Sequence, residues 1–257
     1  MKPSVDPVKE GSVQGKTHYS PASPLVKPSA GWYREPTMTV REILCGVRSL
    51  LMPAACVGCD VPLEEADPPL CSPCRQKLAG SRSVWSRGEG RFFDRAISSF
   101  PYEGVAKTLI GALKYHQRLG LAPFLGGLLA ETVISRLGSD SADAVVPVPL
   151  HPARRRERTF NQAEALAELL AERLDLPCRR DLLSRLKPTL PQTELTRAQR
   201  QANMQGAFLL KPDPLVRSAR LLLVDDVFTT GATAEACARR LKEAGAASVI
   251  VVTLAHG

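Results

Sequence analysis

The sequence predicts an α/β fold in which helices flank a parallel sheet, with a small cysteine-rich module ahead of it. Leu221–Val224 and Ala144–Leu150 are apolar runs without helical period, as expected for strands buried on both faces. Each run is followed by a polar loop and then a helical pattern, the order typical of parallel sheets. Two Cys-x-x-Cys pairs earlier in the chain predict the cysteine-rich module.

Length and charge limit the classes of function. The 257 residues suffice for one large or two small domains, and the net charge of +8 suits a polyanionic ligand, either a polyphosphate or a nucleic acid. No apolar run reaches the length of a membrane span, and the amino-terminal segment lacks the apolar stretch of a signal peptide. We therefore expect a cytoplasmic protein without membrane insertion, in a reducing compartment.

Composition divides the chain into three parts. Residues 1–38 are polar and proline-rich, which predicts a disordered extension; alternatively, translation starts at Met38. Residues 39–90 are predicted to hold an amphipathic helix, Val40–Leu51, followed by the cysteine-rich module. Residues 91–257 contain the sheet domain.

The four paired cysteines predict a structural zinc site of the zinc-ribbon type. Each Cys-x-x-Cys can place two thiolates on one metal, and two such turns complete a tetrahedron. Disulfides or a redox pair are the alternatives, and four thiolates would leave no open position for catalysis. The predicted ligands are Cys56, Cys59, Cys71 and Cys74. The polar segment Arg75–Gly90 is interpreted as a linker or as the end of this module.

Further helices and strands follow from the apolar periodicity. The predicted elements are a strand or hairpin over 91–102, helices over 103–115, 122–137, 163–174 and 234–241, and a last strand over Ser248–Leu254. Lys114, near the end of the first of these helices, is interpreted equally as a solvated charge or as a residue near the ligand.

The loop after Leu221–Val224 has the chemistry of a phosphate site. It contains Thr229, Thr230 and Gly231 and leads into a helix, whose free N–H groups and dipole favour an anion. Asp225 and Asp226 precede it and would repel a bare phosphate, so they should face a sugar diol or Mg²⁺. A ribose 5-phosphate unit satisfies both halves; the alternative is a strand end with an aspartate as helix cap.

The loop after Ala144–Leu150 is strongly cationic. Arginines at a neighbouring strand edge would neutralise a pyrophosphate group, to which guanidinium donors bind in pairs. A solvated charge run or a nucleic-acid patch is the alternative. Residues 185–208 are polar, basic and proline-containing, which predicts either a mobile segment that folds over a ligand or an ordinary surface loop.

Several motifs stand in order along residues 40–257. They are the double Cys-x-x-Cys, Pro147-Val148-Pro149-Leu150-His151, Arg158-Thr159-Phe160-Asn161-Gln162, the residues Gln192, Leu195, Arg200 and Asn203 ahead of Ala207-Phe208, and the Asp225-Asp226 loop. Together they resemble the ComF family, competence-associated homologues of type I phosphoribosyltransferases. Thr159 is a modest departure, because that position is often glycine in the family.

The resemblance implies a type I phosphoribosyltransferase-like sheet and a site for PRPP. Asp225 and Asp226 would hold the ribose hydroxyls, and Arg185 and Lys187 are candidate catalytic residues from the mobile segment. The implied 5-phosphate-binding residues are Val227, Phe228, Thr229, Thr230, Gly231, Ala232 and Thr233. The implied pyrophosphate-binding residues are Leu150, His151, Arg154, Arg155, Arg156 and Arg158.

The reaction implied by the resemblance is Mg²⁺-dependent transfer of phosphoribose with release of pyrophosphate. The resemblance also implies a role in natural transformation, with single-stranded DNA or a competence or helicase protein as the expected partner. The alternative is a protein that senses PRPP or handles single-stranded DNA without turnover. The residues identify neither an acceptor nor a general base.

Overall fold

The structure is a computed structural model that describes residues 55–63, 69–83, 85–88, 90–115, 118–138, 142–150, 160–186 and 206–257. All of these residues belong to one compact unit, 45–257. The predicted extension 1–38 and the predicted helix Val40–Leu51 lie outside the described residues.

A five-stranded sheet forms the centre of the molecule, in the spatial order β1-β2-β7-β6-β3. Neighbouring strands run parallel, except that the edge strand β1 is antiparallel to β2. The two remaining strands, β4 and β5, form a separate antiparallel pair. The strands are β1 Trp85–Arg87, β2 Arg95–Pro101, β3 Ala144–Pro147, β4 Leu183–Arg185, β5 Phe208–Leu210, β6 Arg220–Phe228 and β7 Ser248–His256.

In the described part of the chain five α-helices surround the sheet, and four of them match the predicted helices to within two residues at each end. Two 3₁₀ turns, Leu119–Leu121 and Pro214–Val216, lie between elements. The helices are α1 Ser72–Gly80, α2 Gly104–Tyr115, α3 Ala122–Leu137, α4 Gln162–Leu174 and α5 Ala232–Glu243. Within the described residues, none of them is long and apolar enough to cross a bilayer.

The central strands are buried on both faces, as their unbroken apolar sequences predict. Successive side chains of a strand point to opposite faces. Leu222 and Val224 accordingly pack in one core with α2, α3 and α4, which is called here the α4 side. Leu221 and Leu223 pack in a second core with α5 and the β4–β5 pair, called the α5 side. The result is a three-layer α/β fold, which confirms the predicted fold class.

The cysteine-rich segment packs directly against the sheet domain. Cys56, Leu70 and Leu78 are buried in the same core as Leu109 and Leu113 of α2. Burying one leucine side chain contributes about 1.5–3 kcal/mol relative to leaving it in water. The segment is therefore held on helix α2 by apolar packing.

Three elements differ from their predictions. The segment Arg75–Gly90, interpreted as a linker or as the end of the cysteine-rich module, contains most of α1 and the edge strand β1. Pro73 occupies the first turn of α1, where its missing N–H is harmless. The strand predicted over Ala144–Leu150 ends at Pro147. The two aspartates, expected after the buried strand, lie within β6, whose pairing with β7 continues to Phe228.

Candidate functional site

A cavity of about 600 Å³ opens at the carboxyl edge of the sheet. The helix after β3 covers the α4 side, whereas the helix after β6 covers the α5 side, so the two connecting segments diverge and leave a crevice between them. Of the predicted site residues, the cavity brings together Leu150, Arg185, Asp225, Asp226, Val227, Phe228, Thr229, Thr230, Gly231, Ala232 and Thr233. His151, Arg154, Arg155, Arg156, Arg158 and Lys187 lie outside the described residues.

The loop at the start of α5 has the backbone geometry of an anion site. Gly231 caps the helix with a φ of 81°, in the left-handed region that favours glycine. The Thr230 hydroxyl accepts a hydrogen bond from the Ala232 N–H at 3.4 Å. The first N–H groups of a helix have no partner within it, and here they face the cavity together with the positive end of the helix dipole.

An aromatic cluster packs against this loop. The Phe228 ring lies 5.2 Å from Trp85 and 6.0 Å from Phe93, between ring centroids, and His256 stacks on Trp85 at 4.9 Å. A Cβ atom on Gly231 would approach the Phe228 ring to 2.8 Å, closer than van der Waals contact allows. The loop therefore rests directly on a packed platform, which fixes its position.

The two aspartates of β6 face different layers of the fold. Asp226 forms an ion pair with Lys114 of α2, on the α4 side, with 2.9 Å between Nζ and Oδ1. The charged and titratable neighbours of Asp225 include Arg185 of β4 and Cys237 of α5, on the α5 side. Asp225 also accepts a hydrogen bond from the Asp226 N–H at 2.9 Å. Lys114 therefore contacts Asp226 directly and also influences Asp225, whereas Arg185 is a cationic neighbour of Asp225.

Burial and neighbouring charges shift the pKa values of Asp225 and Lys114. Burial and the neighbouring charge of Asp226 raise the pKa of Asp225 to about 7, although the Asp226 N–H, Lys114 and Arg185 oppose the shift. Burial opposes the charged form of Lys114, but the carboxylates of Asp226 and Asp225 outweigh it and raise the pKa of the lysine. The site therefore holds a cation permanently beside a carboxyl group that titrates near neutrality.

A second helix N-terminus, that of α4, lines the same cavity. Asn161 caps the helix by accepting from the Ala163 N–H at 3.1 Å, and its amide donates to the Val148 carbonyl at 3.0 Å. This bond ties the end of β3 to the start of α4. Two positive helix ends therefore face one cavity, an arrangement suited to a ligand with two anionic groups.

Arg185 lies at the base of the segment that was predicted to be mobile. It ends β4, opposite Phe208 of β5, and its guanidinium lies 5.4 Å from the centre of the Phe208 ring. The interior of the segment, 187–205, is outside the described residues. The structure thus places a cationic side chain of this segment on the cavity wall.

The four predicted zinc ligands form a cluster whose sulfur atoms all lie within 4.8 Å of one another. Cys59 and Cys71 have their sulfur atoms 3.6 Å apart, close to the roughly 3.8 Å that tetrahedral zinc–sulfur geometry requires. The N–H groups of Gly58 and Cys71 donate to the Cys56 sulfur at 3.4 and 3.3 Å. The cluster therefore has the donor set and spacing of a tetrahedral thiolate site.

Without a cation these thiols ionise unequally. Burial raises the pKa of Cys56, but the N–H groups of Cys71 and Gly58 outweigh it and lower that pKa to about 6. Burial and the adjacent sulfur atoms raise the pKa of Cys74 to about 12. Four thiolates at this spacing need a positive ion among them, which the chemistry of zinc supplies.

Sequence reasoning missed several residues that line the cavity. Tyr102 follows β2, Tyr115 ends α2, and Gln162 begins α4. Asn161 carried the usual sequence signal of a helix N-cap and could have been assigned from it. The tyrosines carry no local signal, because their place at the cavity depends on which helix and strand pack at this edge.

Comparison with known proteins agrees with this geometry. Residues 161–257 match the family model described as Phosphoribosyl transferase domain. DNA utilization protein YhgH of Salmonella typhi is 30% identical over 224 residues, which cover 79% of this chain and 96% of that protein. Competence protein F of Haemophilus influenzae is 36% identical over 117 residues, 44% of this chain and 50% of that protein. Competence protein ComFC of Bacillus subtilis is 30% identical over 160 residues, 61% of this chain and 62% of that protein.

Proposed function

The chain belongs to the ComF family of phosphoribosyltransferase-like proteins, and from this premise we propose that it binds PRPP and transfers its phosphoribose group with release of pyrophosphate. The observation that carries the proposal is the cavity in which the acid pair lies between two helix N-termini. PRPP has the matching order of groups: a phosphate, a ribose diol and a pyrophosphate.

Each part of the cavity suits one part of that ligand. The N–H groups of the Thr229–Thr233 loop would hold the 5-phosphate, as free N–H groups at a helix start bind anions. Ionised Asp225 would accept hydrogen bonds from the ribose hydroxyls. The start of α4, near Leu150, faces the remaining anionic group. A volume of about 600 Å³ is in the range of small-molecule sites.

The cavity also fits a magnesium ion held jointly with the ligand. Mg²⁺ prefers oxygen ligands and is commonly bound by one or two carboxylates together with substrate phosphates. Asp225 and Asp226 are the carboxylates available in this cavity, and Lys114 already holds one oxygen of Asp226. When bound with PRPP, the ion would neutralise negative charge on the leaving pyrophosphate.

The chain's own residues would position the ribose and stabilise charge. The loop on the aromatic platform fixes the phosphate end, and the acid pair fixes the rotation of the sugar, which brings its reactive carbon toward the open part of the cavity. Arg185, on the wall, would stabilise the departing anion. We also propose that the cysteine cluster binds a structural zinc ion, which would help to hold the cysteine-rich segment on α2.

Calorimetry with PRPP and Mg²⁺ tests the binding step, and a pyrophosphate-release assay across nucleobases and small amines tests turnover. We expect the D225N and D226N variants to bind PRPP at least about tenfold more weakly. For D225N the reason is that a hydrogen bond to a charged group contributes about 1.5–3 kcal/mol, and 1.4 kcal/mol is tenfold in affinity. D226N removes the partner of Lys114 and one of the carboxylates proposed for Mg²⁺. D181N is the matched control, because Asp181 is exposed and pairs with Lys211 outside the cavity.

These two assays distinguish the ribose-binding role of the acids, a PRPP sensor and a transferase. Unchanged PRPP affinity in both D225N and D226N would refute the ribose assignment. Tight PRPP binding with no pyrophosphate release across the whole panel would favour a PRPP sensor over a transferase. Release with a single class of acceptor would identify the substrate.

A second candidate function is the handling of single-stranded DNA. The net charge of +8 and the names of the relatives, which refer to DNA utilization and competence, support it. DNA binding by phosphate contacts releases counterions, so the affinity should fall steeply with salt. Fluorescence anisotropy with a labelled oligonucleotide at several salt concentrations would measure this slope.

Adding PRPP to the preformed DNA complex distinguishes one shared site from two. Displacement of the oligonucleotide by PRPP would place the DNA at the cavity. D225N, which should bind PRPP more weakly, would then need more PRPP for the same displacement. Salt-insensitive binding, or none, would contradict the second function and leave the PRPP proposal unaffected.

A further inference from the structure

We propose that Lys114 is the positioning residue of the acid pair: it holds the Asp226 carboxylate from the α4 side and leaves Asp225 to accept the ribose hydroxyls. The inference rests on the proposed function. It assigns unequal roles to two adjacent acids that the sequence presents as a symmetrical pair, and it gives a task to a lysine from a distant element.

The contact between Lys114 and Asp226 is short and shielded from water. Nζ and Oδ1 are 2.9 Å apart, and the two side chains are only 16% and 14% exposed. Ion pairs on an open surface contribute little, whereas a pair that is removed from solvent interacts more strongly and is costly to break. This pair therefore differs from the exposed Arg239–Glu243 pair on α5, whose side chains are 50% and 43% exposed.

The lysine is fixed by the element that carries it. Lys114 lies in the last turn of α2, where a cation also complements the negative end of the helix dipole. Leu109, Ile110 and Leu113 of the same helix are buried in the core. The helix cannot shift without disturbing that core, so the ammonium group is held in place before any ligand arrives.

The charges around the two acids follow from this arrangement. Asp226 has Lys114 as its contact. Asp225 faces Asp226 from its own strand, Lys114 from α2, Arg185 from β4 and Cys237 from α5. Asp225 accepts a hydrogen bond from the Asp226 N–H at 2.9 Å and is one of the residues that line the cavity.

Removing the lysine should therefore alter the neighbouring acid as well. Without Lys114, the Asp226 charge is uncompensated and Asp225 loses an opposing cation, so the pair will hold a proton to higher pH. A protonated carboxyl offers less acceptor capacity than a carboxylate for the two hydroxyl donors of a ribose. Affinity for ribose 5-phosphate should then fall most strongly on the acid side of neutrality.

The test measures the affinity for ribose 5-phosphate, without divalent metal, by calorimetry between pH 6 and 9. The variants are K114M, K114R and the control K107M, since Lys107 is an exposed lysine of the same helix. The phosphate of the ligand also titrates, but equally for every variant, so differences between variants report on the protein. Urea unfolding of each variant records its stability separately.

We expect K114M to bind about tenfold more weakly near pH 6, with the midpoint of its affinity profile displaced to higher pH. K114R should keep most of the affinity and the midpoint of the unmodified chain, and K107M should match the unmodified chain throughout. A K114M profile equal to that of K107M would overturn the inference. So would an equal loss at every pH, because a merely structural role would lower affinity without moving the midpoint.

Failure of the proposed function gives a different result. If the unmodified chain binds neither ribose 5-phosphate nor PRPP, the ligand assignment itself is wrong. If it binds both and K114M is unaffected, only the role of Lys114 is wrong.

Discussion

Replacing Gly231 with alanine should both destabilise the chain and weaken phosphate binding. Gly231 has a φ of 81°, and a Cβ atom there would lie 2.8 Å from Cζ of Phe228. The left-handed conformation costs an L-residue other than glycine about 1–2 kcal/mol. The contact adds to this, because Phe228 is packed against Trp85 and Phe93 and has little room to move.

Gly127→Ala is a matched control, because this substitution should stabilise the chain. Gly127 lies inside helix α3, and a Cβ atom there would meet no atom within 4 Å. Alanine in a helix interior is favoured over glycine by about 0.8–1.0 kcal/mol. The free energies of unfolding of the two variants should therefore differ by at least about 2 kcal/mol, the sum of the two effects.

Urea unfolding gives the two stabilities, and calorimetry with inorganic phosphate gives the affinities. Because the loop would be displaced from its platform, Gly231→Ala should bind phosphate at least about tenfold more weakly, whereas Gly127→Ala should bind normally. Equal stabilities for the two variants would refute the backbone argument. Normal phosphate binding by a destabilised Gly231→Ala would refute the placement of the phosphate on this loop.

Two further predictions concern titration and metal. Asp225 has a pKa raised to about 7, so the native chain keeps a proton that the unfolded chain releases near pH 4. Its contribution to the free energy of unfolding therefore falls as pH rises from about 4 to about 7 and is constant above pH 7. Urea unfolding at several pH values should show this decline in the unmodified chain and not in D225N. Equal dependence on pH in the two proteins would contradict the raised pKa. Chelation of the metal proposed at the cysteine cluster should increase hydrogen exchange in α2, which packs on the cluster, and added zinc should restore protection. A metal-free chain with unchanged protection would argue against a structural metal.

The central sheet could be predicted because its signal is local. Leu221–Val224 contains four apolar residues in a row, and the structure buries them alternately in two cores. A strand covered on both faces needs no more information than its own sequence. The loop that follows carried a local signal as well, and the structure has it leading into α5, as predicted; its binding of phosphate stays a prediction.

The ion pair between Lys114 and Asp226 could not be predicted in the same way. Nothing in the sequence near Lys114 shows that the end of α2 reaches the carboxyl edge of β6, because that depends on the order of strands and on helix packing. The sequence left two interpretations of this lysine open, and the structure supports the one near the site. Charge pairs between distant elements follow from topology.

Helix α1 was not predicted, because its polar segment was interpreted as a linker or as the end of the cysteine-rich module. Its sequence offers few apolar residues, and a helix of nine residues is marginal by itself in water. It forms because Cys74 and Leu78 are buried in the core shared with α2. Tertiary packing, together with the cysteine cluster at its start, supplies the stability that local propensity lacks.

The division of the acid pair between two layers has a mechanical consequence. Asp226 is tied through its ion pair with Lys114 to the α4 side, which also carries the cysteine cluster, whereas Asp225 feels the charge of Lys114 and also has Arg185 and Cys237 of α5 as neighbours. A disturbance of the cysteine cluster would therefore reach α2 and its lysine first and Asp226 next. The loop Thr229–Thr233, proposed to bind the phosphate, lies on the other layer, where Gly231 abuts Phe228 and Phe228 packs on Trp85. Loss of the metal should accordingly weaken the binding of ribose 5-phosphate more than the binding of inorganic phosphate, because only the sugar depends on the acid pair.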